Sequence, residues 1–381
     1  MQNICEIDAE EIMTFKSGKF ILSSRCDFAE VMPLVVEASV LYRTVNDLPI
    51  HPDIASRLDE DLLRRSIHGT VAIEGNPLDT TQIEKLLSDR ERPTQSNRSE
   101  KEVLNLKKAY RLLEEVKDSK EPLILTQDYI KKVHRTITEG IEYNMNGPGQ
   151  YRNHRVEVGD SAHGGKHVPP KILLDIQNVM TRFEEWINSK EMLKLHPFLR
   201  AAVTHYYLGA IHPFGDGNGR TARFIEAAEL TFAGYKYLPK MLSNYYYKNV
   251  DEYYIVYRQA EKDQTGNITP FMRFVLNGVI SSINEIKEGI VFYIRDLALQ
   301  DYIKFLRKKN HITQRQSDLM QILMDGPRRV SRKQLHSDHP FRILYRKVSE
   351  DTAKRDLKRL TEWKLLTKED DFYMVNTRAL G

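Results

Sequence analysis

The chain of 381 residues is long enough for two or three domains, and its 41% apolar and 29% charged residues are ordinary for a soluble globular protein. Two cysteines, Cys5 and Cys26, argue against a disulfide framework, and the sequence contains neither a signal-peptide pattern nor an apolar run long enough for a membrane span. The net charge of +4 is uneven, because residues 301–381 carry 19 Lys+Arg against 11 Asp+Glu. We therefore expect a cytoplasmic protein without a membrane partner, whose C-terminal region meets a polyanion or presents a basic solvated surface.

The first half of the chain predicts helices after a short β-like lead-in at Lys19–Leu22. A helix over residues 53–74 should end at Gly75-Asn76-Pro77, because glycine supplies a left-handed residue after a helix and proline forbids its continuation. The same apolar periodicity predicts further helices over residues 28–45, 100–117, 126–138, 171–188 and 196–211. A polar loop is expected over residues 89–100, and Thr126 is suited to cap the helix that it precedes.

Residues 141–171 interrupt this helical pattern. Glycines and a proline at 147–149 start a loop, Arg155–Val158 alternates as a short strand would, and Gly159 follows. An isolated hairpin in a helical domain has an exposed edge, which can bind an extended peptide by adding it as a further strand. We therefore predict a peptide-binding hairpin in this segment.

The stretch His212–Arg223, HPFGDGNGRTAR, combines a base, a carboxylate, three glycines and two arginines. The glycines allow tight turns and close approach to a ligand, and a helix beginning near Gly219 would direct its free N–H groups and positive dipole end at the loop. Asp216 offers the oxygen ligand that Mg²⁺ uses when it binds with substrate phosphates. His212 has an ordinary pKa suited to proton abstraction near neutral pH.

The two arginines complete the resemblance to a phosphate site, because Arg220 and Arg223 are three residues apart and share a helical face. A Walker A loop is excluded, since it requires Lys and then Ser or Thr after the last glycine. A dinucleotide-binding loop is excluded because it follows a strand, whereas FLRAAVTHYYLGAI before the motif is typical of a buried helix. The alternative without chemistry is a glycine-rich turn with a buried histidine and solvated arginines.

HPFGDGNGRTAR resembles the signature of the Fic family, H-P-F-x-[D/E]-G-N-G-R-x-x-R, at every fixed position. The resemblance extends roughly from Arg57 to Leu276. It implies a catalytic domain that transfers AMP from ATP to a protein hydroxyl, a reaction called AMPylation or adenylylation. The implied fold class is mainly α, with a Fic-type helical core, a small β-hairpin flap and a C-terminal winged-helix (α+β) domain.

The resemblance also implies roles for individual residues. His212 would be the catalytic base, Asp216 would hold Mg²⁺, and the hairpin segment, residues 147–170 and hereafter the flap, would present the target hydroxyl. ATP would be bound by residues of the flap, of the motif and of the segment after the motif that is rich in tyrosine. These residues, with Glu74 from the helix that precedes the core, are Glu74, Val156, Glu157, Val158, Gly159, His212, Asp216, Gly217, Asn218, Gly219, Arg220, Thr221, Ala222, Arg223, Tyr253, Tyr254 and Glu261. The family often has Asn where Glu261 stands.

The helix end Thr70-Val71-Ala72-Ile73-Glu74-Gly75 resembles the Fic inhibitory motif [S/T]-x-x-x-E-[G/N]. Thr70 and Glu74 are four residues apart and share a helical face. Glu74 is expected to pair with Arg223, the arginine that would otherwise hold the γ-phosphate. The alternative is that Glu74 is a solvated acid beside a helix end.

The C-terminal segment predicts helices over residues 313–324, 331–336 and 348–360, followed by a turn at Asp370-Asp371 and a strand at Phe372–Val375. Three helices and a hairpin are typical of a winged helix. The third helix resembles a recognition helix that would enter a major groove of DNA with four basic residues on its exposed side, namely Lys354, Arg355, Lys358 and Arg359. Protein contacts or packing in a homodimer are the alternative use of such a domain.

We therefore expect an N-terminal helical region carrying the inhibitory helix over residues 1–110, a Fic core over 111–295 and a winged-helix domain over 305–381. Two other functions stay open. The same site removes AMP in some members of this family, with the glutamate aligning a hydrolytic water. The chain could also be a DNA-binding regulator whose nucleotide pocket is only a sensor.

Overall fold

The computed structural model of the chain describes residues 9–88, 96–114, 122–141 and 147–378. Cys5, most of the predicted polar loop at 89–100 and the end of the helix predicted over 100–117 lie outside these described residues. The chain divides into two compact units. The first contains Ala55–Ile286 and the residues before Ile50, and the second contains Ile50–Ile54 and the chain from Lys287 onward.

The first unit is helical, with one antiparallel pair of strands. Its elements are β1 (Glu10–Met13), β2 (Lys19–Leu22), α1 (Phe28–Asn46), α2 (Pro52–Ile73), α3 (Thr80–Ser88), α4 (Arg98–Glu114), α5 (Gln127–Thr138), α6 (Leu173–Ile187), α7 (Lys190–Leu193), α8 (Pro197–Ile211), α9 (Asn218–Phe232), α10 (Leu242–Lys248), α11 (Val250–Lys262) and the start of α12 (Thr269–Lys308). The helices predicted up to residue 211 are confirmed wherever the structure describes them. The sequence patterns missed α3 and α7, whose nine and four residues are too few to establish a periodicity.

Local signals account for where these helices begin and end. Thr126 caps α5, since its hydroxyl accepts a hydrogen bond from the Tyr129 N–H at 3.1 Å. Gly75, just beyond the end of α2, has a φ of +81°, as the predicted stop signal requires. The end of α2 is therefore placed by its own sequence, and Glu74 directly follows its last residue, Ile73.

Helix α8 is the centre of the first unit. All of its 15 residues except Pro197 and Gly209 are buried, because its sequence is apolar on every face. It packs against α9, and the few ionisable groups inside this pair have partners, such as Arg200 with Glu229 at 3.1 Å. The loop that joins α8 to α9 is the HPFGDGNGRTAR motif, so it is held between two buried helices.

The second unit combines the end of α12 with a small sheet and short helices. Its further elements are α13 (Gln314–Asp325), β3 (Arg329–Ser331), α14 (Arg332–Ser337), α15 (Phe341–Tyr345), α16 (Glu350–Glu362), β4 (Leu366–Glu369) and β5 (Phe372–Val375). The sheet is antiparallel in the order β3-β5-β4. The three predicted helices, the turn at Asp370-Asp371 and the last strand are confirmed, whereas β3 and α15 were not predicted.

The expected domain boundaries fall inside helices. Residue 110 lies within α4, and α12 runs for 40 residues without a break across 295–305. Within the part of the chain that the structure describes, none of the helices has the length and apolarity that crossing a membrane requires.

Candidate active site

The motif loop begins at His212, where α8 ends. His212 has a φ of +49°, a left-handed conformation that few residues other than glycine adopt, and it turns the chain out of α8 and into the loop. Burial and the Arg152 guanidinium, against the opposing effect of Glu74, lower the pKa of His212 to about 4. His212 is therefore neutral at physiological pH and able to accept a proton.

Arg152 fixes this loop to the flap, although the sequence did not identify it as a site residue. Its buried side chain donates hydrogen bonds to the carbonyl oxygens of His212, His154 and Pro170 at 2.8, 2.7 and 2.6 Å. Its backbone N–H donates to the Pro213 carbonyl at 2.9 Å. Because these carbonyls belong to the motif loop and to the flap, one guanidinium sets the position of His212 relative to the flap.

His134 on α5 supports the middle of the loop and was also not predicted. Its ring stacks on Phe214, with centroids 3.7 Å apart and an angle of 8° between the planes. Nδ1 accepts a hydrogen bond from the Gly149 N–H at 2.8 Å, so the hydrogen is on Nε2, which lies 2.8 Å from the Asp216 carbonyl. Burial lowers the pKa of His134 to about 4 and thereby keeps this neutral form.

Asn218 closes the loop on itself. Its side-chain oxygen accepts from the Phe214 N–H at 2.9 Å, and its amide nitrogen donates to the Phe214 carbonyl at 2.8 Å. The family resemblance assigns Asn218 to ATP, and both of its polar side-chain atoms are engaged within the loop. Asn218, the first residue of α9, therefore holds the loop against the start of that helix.

Asp216 lies in a cluster of charges between the loop and α4. Its Oδ1 accepts hydrogen bonds from the Gly217 N–H at 2.6 Å and from Arg220 at 3.0 Å, and its Oδ2 accepts from Arg98 at 2.7 Å. Burial raises the pKa of Asp216, but the neighbouring arginines and the Gly217 N–H outweigh it and the net pKa is lowered. Asp216 is therefore an ionised carboxylate, as a Mg²⁺ ligand must be.

Arg220, which the family resemblance assigns to ATP, is buried. Its side chain is 2% exposed and pairs with Glu102 at 2.9 Å in addition to Asp216. Glu102 in turn accepts from the Asn76 amide at 2.8 Å, which links this cluster to the residues that follow α2. The sequence did not identify Glu102, because nothing in its local pattern distinguishes it from the other acidic residues of a helix.

Arg223 faces the end of α2. Its Nη2 donates to the Glu74 carboxylate at 2.6 Å, and its Nε donates to the Thr70 hydroxyl at 2.8 Å. Burial alone lowers the pKa of Arg223, but Glu74 more than reverses this effect and the pKa is raised. The close approach of Glu74 to α9 also requires glycine at position 219, because a Cβ there would lie 2.3 Å from the Glu74 carboxylate. The contact that the [S/T]-x-x-x-E-[G/N] motif predicts is thus present.

The flap contains less β structure than the sequence indicated. A single antiparallel bridge joins Val158 and His167 through N–H···O distances of 2.9 and 2.7 Å. Val156 and Val158 are half-buried while Glu157 between them is exposed, so the predicted alternation is present. The ladder ends at Gly159, whose φ of +89° turns the chain away.

The flap contacts one face of α11 through two histidines. His163 lies 3.0 Å from Asp251 of α11 and 2.9 Å from Asp160, and these carboxylates raise the pKa of His163. His167 lies 2.5 Å from Glu261. Glu261, which stands where the family often has Asn, is therefore engaged by the flap.

The adjacent tyrosines of α11 face different surroundings, because consecutive residues of a helix point about 100° apart. Tyr254 is half-buried, and its hydroxyl lies 3.5 Å from the Ile73 carbonyl at the end of α2. Tyr253 is 5% exposed and packs in the core. Two motif residues expected to contact the nucleotide, Thr221 and Ala222, are likewise 2% and 1% exposed. The structure thus brings Glu74, Tyr254 and the motif together, and it directs Tyr253 inward.

The sequence of this region matches known proteins. Residues 124–230 match the profile of the Fic/DOC family. The chain is 32% identical over 220 residues to a protein adenylyltransferase Fic of Aedes aegypti, covering 58% of this chain and 40% of that protein. It is 34% identical over 210 residues to a protein adenylyltransferase Fic of Nematostella vectensis, covering 55% and 45%. The chain therefore spans less than half the length of these curated relatives.

Solved structures share the helical fold. A Fic family protein from Desulfovibrio desulfuricans superposes with a TM-score of 0.55 at 19% identity, over 91% of this chain and 95% of that one. Fic-1 from C. elegans superposes with a TM-score of 0.53 at 26% identity, over 68% of this chain and 72% of that one. Residues 124–230 of this chain, which contain the filled signature, match the Fic/DOC family.

Proposed function

We propose that this chain is a protein adenylyltransferase, which transfers AMP from ATP to a Ser, Thr or Tyr hydroxyl of a target protein or of itself. The observation that carries the proposal is the arrangement of the motif. A neutral His212, an ionised Asp216 and a buried Arg223 lie in the motif loop and at the start of α9. The names of the relatives, which are protein adenylyltransferases, support the same activity.

In this mechanism ATP lies along the motif loop, with its phosphates on the backbone N–H groups at the start of α9. Arg223 binds the γ-phosphate, and buried Arg220 contributes positive charge near the β-phosphate. His212 accepts the proton of the target hydroxyl, which the flap holds nearby. The hydroxyl oxygen forms a bond to the α-phosphorus while the bond from that phosphorus to the pyrophosphate oxygen breaks.

Asp216 would hold Mg²⁺ in this reaction, and the residues around it fit that role. A single ionised carboxylate beside a phosphate-binding loop is the usual protein contribution to a magnesium site of this kind. When bound, Mg²⁺ neutralises negative charge on the phosphates. Arg98 now occupies Oδ2 of Asp216, and because its side chain is 58% exposed it can leave for solvent.

We further propose that Glu74 inhibits the enzyme. Its carboxylate pairs with Arg223, which is the cation assigned to the γ-phosphate. The carboxylate also lies so close to Gly219 that a Cβ at that position would clash with it. ATP binding in the productive position would then require the Glu74 side chain to move. With 30% of its side chain exposed, Glu74 is the mobile partner of this pair.

Automodification with labelled ATP and Mg²⁺ tests this function. We expect weak labelling of the wild type, labelling increased by about tenfold or more in Glu74→Gly, and none in the double variant Glu74→Gly/His212→Ala. Nucleotide binding should survive in the double variant, because His212 acts on the hydroxyl and not on ATP. Equal labelling with and without His212 would contradict the proposal.

Removal of AMP is the second candidate activity, and one observation favours it. The Glu74 carboxylate raises the pKa of His212, so its charge acts on the base that a hydrolytic water would need. A target modified beforehand distinguishes the two activities. Release of AMP by the wild type but not by Glu74→Gly would support hydrolysis, and release by neither variant would leave transfer as the activity.

We also propose that the second unit binds duplex DNA through α16, whose four basic residues are all exposed: Lys354, Arg355, Lys358 and Arg359. Fluorescence anisotropy with a mixed-sequence duplex at several salt concentrations tests this. Lys354→Ala/Lys358→Ala should weaken binding and reduce its salt dependence, whereas Lys304→Ala, at another exposed lysine, should not. Sedimentation that shows a homodimer lost in the same double variant would instead favour packing of a second copy on α16.

A further inference from the structure

The side chain of His167 joins the flap to the end of α8. Its Nε2 lies 2.7 Å from the carbonyl oxygen of Ala210, and because a carbonyl can only accept, Nε2 carries a hydrogen and donates it. The last carbonyls of a helix have no partner within that helix, and Ala210 is among them because α8 ends at Ile211. His167 therefore supplies a partner to a helix end that lies just before His212.

The backbone of the same residue holds the strand of the flap that would present the target. The Val158 N–H donates to the His167 carbonyl at 2.9 Å, and the His167 N–H donates to the Val158 carbonyl at 2.7 Å. One residue thus connects this strand to Ala210. Arg152 makes a second connection, to the carbonyl of Pro213. The flap is therefore held to the chain both before and after the base of the motif.

Glu261 on α11 holds the His167 ring from its other nitrogen. Oε1 of Glu261 lies 2.5 Å from Nδ1 of His167. Oε2 pairs with Arg258, three residues earlier on the same helix. Both carboxylate oxygens are therefore engaged by protein groups. The side chains of His167 and Glu261 are 13% and 23% exposed, so this contact is largely shielded from solvent and restrains the ring more strongly than a surface pair would.

The other histidine contact between the flap and α11 differs in this respect. His163 reaches Asp251, whose side chain is 84% exposed, and Asp160, which is exposed as well. Exposed ion pairs contribute little to stability. His163 therefore offers a comparison in which a flap histidine is lost without a shielded contact.

We propose that His167 is a positioning residue for AMP transfer and that Glu261 acts through it. Together they hold the strand that presents the target hydroxyl at a fixed distance from His212. This role rests on the proposed function, since it assumes that His212 accepts the proton of that hydroxyl. It differs from the nucleotide contact that the family resemblance implies for Glu261. A group that positions the flap changes the rate of transfer at saturating ATP, whereas a nucleotide contact changes the affinity for ATP.

Automodification at saturating ATP with Mg²⁺, equilibrium binding of ATP and hydrogen exchange of the flap test this role in the full chain with Glu74→Gly. His167→Ala should lower the rate of labelling by about tenfold or more, because small displacements of a reacting group are costly. The affinity for ATP should change by less than about twofold. The Val158 amide should exchange faster, because the ring no longer holds this part of the flap.

Variants of Glu261 test the same role from outside the flap. Glu261→Ala should reproduce the loss of labelling with little change in ATP affinity, whereas Glu261→Gln, whose amide can bond to the ring, should recover most of the rate. The double variant His167→Ala/Glu261→Ala should lose no more than His167→Ala alone, since the carboxylate acts through the ring. His163→Ala should lower labelling by less than about threefold, because its contacts are exposed.

Thermal unfolding of each variant separates a loss of transfer from a loss of fold, and if His167→Ala unfolds, the two Glu261 variants decide. The proposal would be overturned by full labelling in His167→Ala, by losses that add in the double variant, or by an ATP affinity that falls as much as the rate in Glu261→Ala. Labelling of Glu74→Gly that depends on His212 supports the proposed function whatever the result for His167. If Glu74→Gly does not label itself, the proposed function fails and this role fails with it.

Discussion

The Arg223 guanidinium lies 2.6 Å from the Glu74 carboxylate, although 149 residues separate the two in the chain. The arginine side chain is 2% exposed, so this charge is held inside the protein by its partners. A buried charge that loses its only counter-charge is costly, and a phosphate group is the natural replacement for the carboxylate. The pair therefore couples nucleotide binding to the position of the end of α2.

Thr70→Val should partly release the inhibition. The change removes the hydroxyl that accepts from Arg223 Nε and keeps the volume and the Glu74 contact. Because Thr70→Val removes one of the contacts that hold Arg223 at α2 and leaves the Glu74 carboxylate in place, we expect automodification to rise by about several-fold and to stay below that of Glu74→Gly. Ser66→Ala, earlier on α2 with its hydroxyl on Tyr110, is the control. Labelling of Thr70→Val at or below the wild-type level would argue against a role for this contact.

Arg98→Gln should lower the Mg²⁺ concentration needed for activity. Arg98 donates to the Asp216 oxygen that would be free to bind the metal, and an exposed ion pair contributes about 0–1 kcal/mol. We therefore expect the half-saturating Mg²⁺ concentration, measured in the Glu74→Gly background, to fall by up to about fivefold. Arg111→Gln, at an exposed arginine in the last turn of the same helix, should leave it unchanged. A higher magnesium requirement in Arg98→Gln would show that Arg98 assists the metal.

His134→Phe should destabilise the first unit. Phenylalanine preserves the stack on Phe214, but the Gly149 N–H loses its acceptor and the Asp216 carbonyl loses its donor. Two buried backbone groups without partners cost about 2–4 kcal/mol, to be measured as the free energy of unfolding in urea. His51→Phe, whose side chain is 58% exposed in the wild type, controls for the loss of a histidine. An unchanged unfolding midpoint in His134→Phe would contradict the supporting role.

Acid should destabilise the protein between pH 6.5 and 4. Burial lowers the pKa values of His134 and His212 to about 4, whereas an unfolded histidine has an ordinary pKa of about 6.5. In this window the unfolded chain binds more protons than the folded one, so the stability is complete above about pH 6.5 and falls as the pH drops. Each histidine contributes up to about 3 kcal/mol of this loss.

Urea unfolding at pH 7, 5.5 and 4.5 measures this dependence. In His134→Phe one of the titrating groups is gone, so the free energy of unfolding should change less steeply over the same range. A free energy that does not change between pH 6.5 and 4, or an equal slope in the variant, would contradict the assignment of neutral buried histidines.

Much of the candidate site could be predicted because its chemistry is contiguous. His212, Asp216 and Arg223 lie within one loop and the first turns of one helix, where residue type and spacing are read directly. The helix begins at Asn218, one residue from the predicted position. The contact between Glu74 and Arg223 joins distant parts of the sequence. It could be predicted only because the short motif that contains Glu74 resembles the inhibitory motif of the family. The hydrogen bonds of Asn218 within the loop and the burial of Tyr253 were not predicted, since a motif lists residues without saying which atoms face the ligand.

The amino-acid sequence by itself determined the helical class, the ends of most helices and the set of chemical groups in the motif. Each of these depends on neighbours within a few residues, through apolar periodicity, capping and glycine conformation. Only the tertiary structure decided which distant polar groups meet, namely Arg152 with the loop and Glu102 with Arg220. Local patterns indicate which face of a helix is buried, but the partner of a buried donor is set by how separate helices pack, and that information is spread over the whole chain.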